Sequence, residues 1–131
     1  MDCKILVLLF MVIFYNSVCL LGQSTHKNLR KGDRLYQEEK YSEAEERYRK
    51  SLISNPNHQS KFNLGNSIYQ QDRYEESIEH YSDALSMAGT DTDKSMASYN
   101  LGNSYLKSGE LDKSIESYNC LLYTSPSPRD A

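Results

Sequence analysis

Apolar residues fall at intervals of three and four in three separate runs: Tyr41, Ala44, Tyr48 and Leu52; then Tyr74, Ile78, Tyr81 and Leu85; then Leu111, Ile115 and Tyr118. That spacing gathers each run on one face of a helix. Ahead of the second and third runs stand Leu64 with Ile68 and Leu101 with Tyr105, on earlier helices pointing toward the paired ones. The pattern is phased by three glycines, Gly32, Gly65 and Gly102, set 33 and then 37 residues apart. Nine residues after each comes Tyr41, Tyr74 or Leu111, and sixteen after comes a tyrosine. Such recurrence predicts stacked helical hairpins, an all-α solenoid of about two and a half to three units spanning about 25–57, 58–94 and 95–119, the last truncated. The glycines are expected to let the two helix backbones of a hairpin approach closely.

Helix boundaries carry their own signals. Asp72 with Glu75, and Ser42 with Glu45, have the spacing of capping boxes at helix starts. Pro56 cannot continue a helix and marks the passage to the second unit, and Gly89 does the same later. The segment 89–94 lengthens the second unit and reads as an extended acidic loop. Its Asp91 and Asp93 lack the ligand series of an EF-hand, so a solvated loop is expected rather than a calcium site. Glu43, Glu45 and Glu46 stand four residues before Arg47, Arg49 and Lys50, which reads as a solvated, salt-bridged face.

Both ends are set apart from the array. Residues 1–22 hold one basic residue, Lys4, then the apolar run from Ile5 to Phe14. They read as a signal peptide, cleaved after Gly22. With its weaker tail to Leu21 the run is 17 residues, short of the roughly 20 that a spanning helix needs; an uncleaved anchor is the alternative. Val18 before Cys19 argues against a lipoprotein. At the other end, residues 120–130 match the translation of a transposon-end adapter used to prepare sequencing libraries, so 120–131 are expected to be foreign and the protein to continue past Asn119.

Between these ends, residues 23–119 carry 13 basic and 16 acidic side chains and no cysteine. Helix packing must therefore hold the array without disulfides. The charge is uneven: residues 23–57 hold 8 basic and 6 acidic groups, residues 58–119 hold 5 and 10. No basic stripe runs through the array, so nucleic acid is not expected. His26, His58 and His80 fall on different helices and are expected at the surface. No catalytic triad order, phosphate loop, cofactor site or metal site is found, and no small-molecule substrate is expected.

These residues resemble the tetratricopeptide repeat. In the first unit Gly32, Leu35, Tyr41, Ala44, Tyr48 and Pro56 fit its pattern, with Lys31 and Ser51 as departures; Ser77 and Ser114 replace the small alanine of the next two units, which is expected to loosen the helix contact slightly. The resemblance implies a concave face lined by Leu29, Asp33 and Tyr36, by Asn63, Asn66 and Tyr69, and by Asn100, Asn103 and Leu106, where an extended peptide or partner helix lies. The asparagines are the best candidate: a ladder of amides offers donors and acceptors to a peptide main chain. The alternative is that they only bond neighbouring turns. Tyr36, Tyr69 and Tyr99 are the exposed aromatic candidates. A carboxylate clamp for an acidic C-terminus would need lysines, an arginine and asparagines where this chain has Leu29, Asp33, Asn63, Met96 and Asn100, and only Asn63 agrees.

With the signal sequence, the chain also resembles the exported repeat proteins of bacterial Bat-type aerotolerance clusters. That implies a non-catalytic scaffold, periplasmic and associated with a membrane, that holds protein partners such as von Willebrand A-domain membrane proteins. The sensor region of a membrane histidine kinase, or an envelope assembly factor or chaperone, would share every residue read so far.

Overall fold

The computed structural model describes residues 26–124, with side chains to Cys120, and five positions of the N-terminal stretch, Ile5, Val7, Leu8, Phe10 and Met11. The predicted cleavage after Gly22, Cys19 and the tail 125–131 lie outside the described residues. Over residues 26–124 six helices follow one another: α1 over 26–37, α2 over Tyr41–Ser54, α3 over His58–Tyr69, α4 over Tyr74–Met87, α5 over Asp91–Lys107 and α6 over Leu111–Thr124. They form three hairpins, α1 with α2, α3 with α4 and α5 with α6. Among the described residues there is no strand. No helix there is long and apolar enough to cross a membrane.

Two boundaries differ from the sequence reading. Residues 91–94 are the first turn of α5 and not a loop, because Thr90 caps the helix by accepting the Asp93 amide at 3.1 Å. Asp91 and Asp93 then lie where acidic groups suit the helix dipole. The third hairpin thus begins at Asp91 rather than 95. At its other end α6 stays helical to Thr124, so the change of composition at Cys120 is not a helix end.

Neither capping box forms. The turn inside each hairpin passes through one left-handed residue, Glu39 and Asp72 at φ 59° and Gly109 at φ 86°. There the amides of Lys40, Arg73 and Glu110 reach back to the carbonyls of Leu35, Ile68 and Tyr105 at 2.9, 3.3 and 2.8 Å. This is a Schellman arrangement, and it carries the chain directly into the next helix. Asp72 occupies that left-handed position, and its carboxylate accepts the Tyr74 hydroxyl at 2.5 Å instead of an amide. Only Gly109 adopts the turn without a Cβ penalty. Between hairpins the chain uses true caps: Asn57 accepts the Ser60 amide at 2.9 Å, and Thr90 serves α5.

The phasing glycines have a reason the sequence did not disclose. A Cβ on Gly32 would stand 2.5 Å from Tyr48 Cε1, one on Gly65 2.8 Å from Tyr81 Cε1, and one on Gly102 2.6 Å from Tyr118 Cε1. Each glycine therefore makes room for the tyrosine ring sixteen residues later, and the close approach is ring to backbone.

The core lies across the junctions. One cluster joins Leu35, Ala44 and Tyr48 of the first hairpin to Leu64 and Ile68 of the second. The other joins Phe62, Tyr81 and Ala84 of the second to Ala97 and Leu101 of the third. A hairpin alone would leave half of its cluster wet, so neighbouring units stabilise one another.

Candidate functional site

Helices α1, α3 and α5 together line a polar face with two adjoining cavities. One, of about 330 Å³, is bounded by Tyr36, Asn66, Tyr69, Gln70, Tyr81, Asn100 and Asn103. The other, of about 350 Å³, is bounded by Asp33, Tyr36, Gln37, Tyr48, Gln59, Asn63 and Asn66. Seven of the eight predicted groove residues, Asp33, Tyr36, Asn63, Asn66, Tyr69, Asn100 and Asn103, are thereby brought together.

The eighth, Leu106, lines neither cavity and is 51 % exposed. Its equivalents Tyr36 and Tyr69 each set a ring edge-on against a tyrosine of the next helix, Tyr41 and Tyr74, with centroids 5.2 Å apart in both pairs. The third hairpin has Leu106 and Leu111 at these positions, and Leu111 is exposed as well. The ring pairs leave Tyr36 and Tyr69 half-buried, contrary to their expected exposure. Tyr99 is exposed, beside Tyr118 at 6.0 Å between centroids, and belongs to neither cavity.

The asparagines bond along the stack. The Tyr48 hydroxyl and the Asn63 amide both donate to Asp33 Oδ1, each at 2.9 Å. One unit on, the Tyr81 hydroxyl and the Asn100 amide both donate to Asn66 Oδ1, at 2.7 and 3.0 Å. In the third unit the Tyr118 hydroxyl donates to Asn103 Oδ1 at 2.5 Å. Asn63 and Asn100 thus link consecutive hairpins, as in the alternative reading of the asparagines. Burial, and for Tyr48 the Asp33 carboxylate, push both phenols far above the usual tyrosine range. They remain donors at any physiological pH.

An amide has more valences than this network uses. The amide nitrogens of Asn66 and Asn103 and the carbonyl oxygens of Asn63 and Asn100 have no hydrogen-bond partner among the described residues. They lie on the cavity walls with the second oxygen of Asp33. Gln37, Gln59 and Gln70 add amides that the sequence reading missed. The signal was available for two of them, since Gln37 and Gln70 directly follow the paired tyrosines in equivalent turns.

Other expectations change once the helices are packed. Glu45 is not on a solvated face: its side chain is 12 % exposed and joins α2 to the turn between α3 and α4. Its carboxylate accepts Arg49 at 2.8 Å, Arg73 at 2.7 Å and Gln71 at 2.8 Å. Burial opposes its charge, yet the donors from Gln71, Arg49 and Arg73 outweigh burial and hold the carboxyl below the usual range. Lys50 does pair with Glu46 as expected.

His80 is buried, and burial, with Lys61 and Arg49 nearby, lowers its pKa. His58 is half-buried, its Nδ1 2.8 Å from the Ala84 carbonyl oxygen. Only His26 is exposed as expected. Ser77 is fully buried, and its hydroxyl meets that of Ser104 at 2.8 Å across the second junction. Among the described residues no group of three or more His, Cys, Asp or Glu side chains is placed to hold a metal ion.

Comparison with known proteins agrees with this geometry. The tetratricopeptide repeat family profile matches residues 57–122, half of the chain. No curated protein sequence matches. Among solved structures the chain is similar to the second repeat domain of Spaghetti (RPAP3) bound to the HSP90 peptide SRMEEVD, with TM-score 0.75, 19 % identity, and coverage of 84 % of this chain and 99 % of that one. The repeat domain of Arabidopsis FLU gives TM-score 0.72 and 18 % identity over 79 % and 95 % of the two chains. MamA of MSR-1 gives 0.69 and 20 % over 88 % and 68 %.

Proposed function

As the chain belongs to the tetratricopeptide repeat family, whose stacked hairpins serve as protein–protein interaction scaffolds, we propose that it holds an extended peptide segment of a partner protein along α1, α3 and α5. The observation that carries this is the row of unpaired amide atoms around the two cavities, the nitrogens of Asn66 and Asn103 and the carbonyl oxygens of Asn63 and Asn100. Such groups pair with a main chain whatever its side chains, so the sequence preference is loose. The role is binding alone: apart from Asp33 the walls present amides and phenols, which are poor acid–base groups near neutrality.

Two of the similar structures, the Spaghetti repeat domains, hold the HSP90 peptide SRMEEVD. This chain is a poor match for that acidic ligand, because Leu29, Met96 and Asn100 stand where cations would be needed and Asp33 stands in place of an asparagine. Export to the cell envelope, a von Willebrand A-domain partner and a place in aerotolerance belong to the same proposal. They are supported by Lys4 with its apolar run and by the likeness of the repeat phrasing, Asn63-Leu64-Gly65-Asn66.

The test uses peptides selected from a random displayed library against the full chain. Asn66→Asp keeps the acceptor for Tyr81 and Asn100 and removes the amide donors, and Asp33 shows that an acid is tolerated at this position. Binding of the selected peptides should weaken about tenfold, the loss of one or two hydrogen bonds, while thermal unfolding is unchanged. Equal binding by the variant, or ligand-induced NMR shifts confined to α2, α4 and α6, overturns the proposal. The peptide SRMEEVD should not bind measurably.

A further inference from the structure

Counted from the glycines, Ser60, Asn63, Leu64 and Ser67 of α3 correspond to Ala97, Asn100, Leu101 and Ser104 of α5. Both sets face the preceding hairpin. Ser60 meets Ser51, Asn63 bonds Asp33, and Leu64 lies in the first core cluster. Ser104 meets Ser77, and Asn100 bonds Asn66. In α1, which has no preceding hairpin among the described residues, the same four places hold Lys27, Arg30, Lys31 and Arg34. All four are exposed. None has an ion-pair or hydrogen-bond partner at contact distance among the described residues, although Lys31 and Arg34 act at longer range on Glu46 and Glu38, and the only acid of α1, Asp33, is turned to the polar cavity.

We propose that this outer face of α1 is a docking surface for an anionic phospholipid membrane, on which the array stands end-on. The face is unsuited to another hairpin or a second copy stacked in register, since four cations would replace the small and apolar residues that a helix seam requires. Spacings of three and four align the cations along one side of the helix over about 10 Å, a line that fits a plane of phosphate headgroups. Charge orients the molecule as well: residues 23–57 hold 8 basic and 6 acidic groups and residues 58–119 hold 5 and 10, so a negative surface attracts the α1 end and repels the rest. The inference is independent of the peptide groove.

The full chain is mixed with vesicles of phosphatidylcholine alone and with one third phosphatidylglycerol. The ratio of the two affinities isolates the electrostatic part from any insertion of the apolar run. Each cation near the surface is worth about fivefold, so the ratio should reach several hundredfold at low salt and shrink as salt is added. In the variant Lys27→Gln, Arg30→Gln, Lys31→Gln, Arg34→Gln it should fall to about one, with helical circular dichroism and binding to neutral vesicles unchanged. A control with Lys50→Gln, Lys94→Gln and Lys107→Gln should retain most of the ratio. Equal binding of the wild type to both vesicles, or a phosphatidylglycerol preference kept by the quadruple variant, overturns the assignment. So does tighter binding to polyglutamate or duplex DNA than to the anionic vesicles, which would give the face to a macromolecular polyanion.

Discussion

Thirteen residues after its glycine the first hairpin carries Glu45, and the second carries Ile78. At the first junction Glu45 sits within a cluster of charges: Arg49 bridges it to Glu76 at 2.7 Å, and Arg73 binds both carboxylates. At the second junction Ile78 packs on the core of Tyr81, Ala84, Ala97 and Leu101. Small residues are exchanged as well. Where the first junction has Ser51 and Ser60 in contact at 3.0 Å, the second has Ala84 against Ala97. Where the second has Ser77 bonded to Ser104, the first has Ala44, and the opposing Ser67 hydroxyl is buried with no partner among the described residues. The helix approach demands small side chains in both places, and chemistry is free to vary so long as each hydroxyl finds a mate. Ser67 is the position where that condition fails.

The largest expected effect comes from moving the first junction's charge into the second. Ile78→Glu has no Arg49 or Arg73 equivalent, since those places hold Ser82 and Glu110, so it should cost about 3 kcal/mol in urea denaturation. Glu45→Ile should stay within about 1 kcal/mol of wild type, because an apolar residue can replace a partly buried ionic cluster without loss. Similar costs for the two would show that the junctions are not different in kind.

Next comes the orphan hydroxyl. Ser67→Ala should stabilise by about 1 kcal/mol, whereas Ser77→Ala should destabilise by about the same amount. Thermal melts of the two variants, moving in opposite directions, read this.

Acid should weaken the first junction before the second. His80 has an ordinary value of 6.5 in the unfolded chain and a lower one when folded. Below about pH 6.5 the unfolded chain therefore binds more protons, and stability falls until the folded ring itself titrates. Glu45 adds a separate loss at lower pH, starting near its ordinary 4.5 and complete once pH passes its lowered folded value. His80→Gln should flatten the melting temperature between pH 7 and pH 5 and leave the lower limb intact. A slope unchanged in that variant would assign the acid sensitivity elsewhere.

The smallest effect is that of salt. Arg49, Arg73 and Glu76 are each more than a third exposed, so their pairing is screened. Added sodium chloride should lower the melting temperature of the wild type slightly and that of Glu45→Ile less. Hydrogen exchange should place the difference in α2 and α4.

The hairpins themselves were legible because a period of three to four residues, repeated in phase with glycine, has few other physical solutions. The lining of the polar face, Asn63, Asn66, Asn100 and Asn103 among it, came from the resemblance to the tetratricopeptide repeat and not from the period itself. Leu106 was the exception, because its placement depends on a ring pair that the third hairpin lacks. The capping boxes misled because spacing alone does not say where a left-handed turn residue falls, and at Asp72 it falls one place before the cap.

What the sequence determined by itself is which side of each helix is apolar and that the helices pair into repeating hairpins, because helical period acts over a few neighbours in the chain. What only the tertiary structure decided is who meets whom across a junction: that Gly65 shelters the Tyr81 ring, that Glu45 is buried among arginines, that Asn100 is bound to Asn66, and that Ser67 is left alone. Those contacts join residues from about 16 to 34 positions apart. They depend on the angle at which one hairpin packs on the next, and the identity of either residue alone does not set that angle.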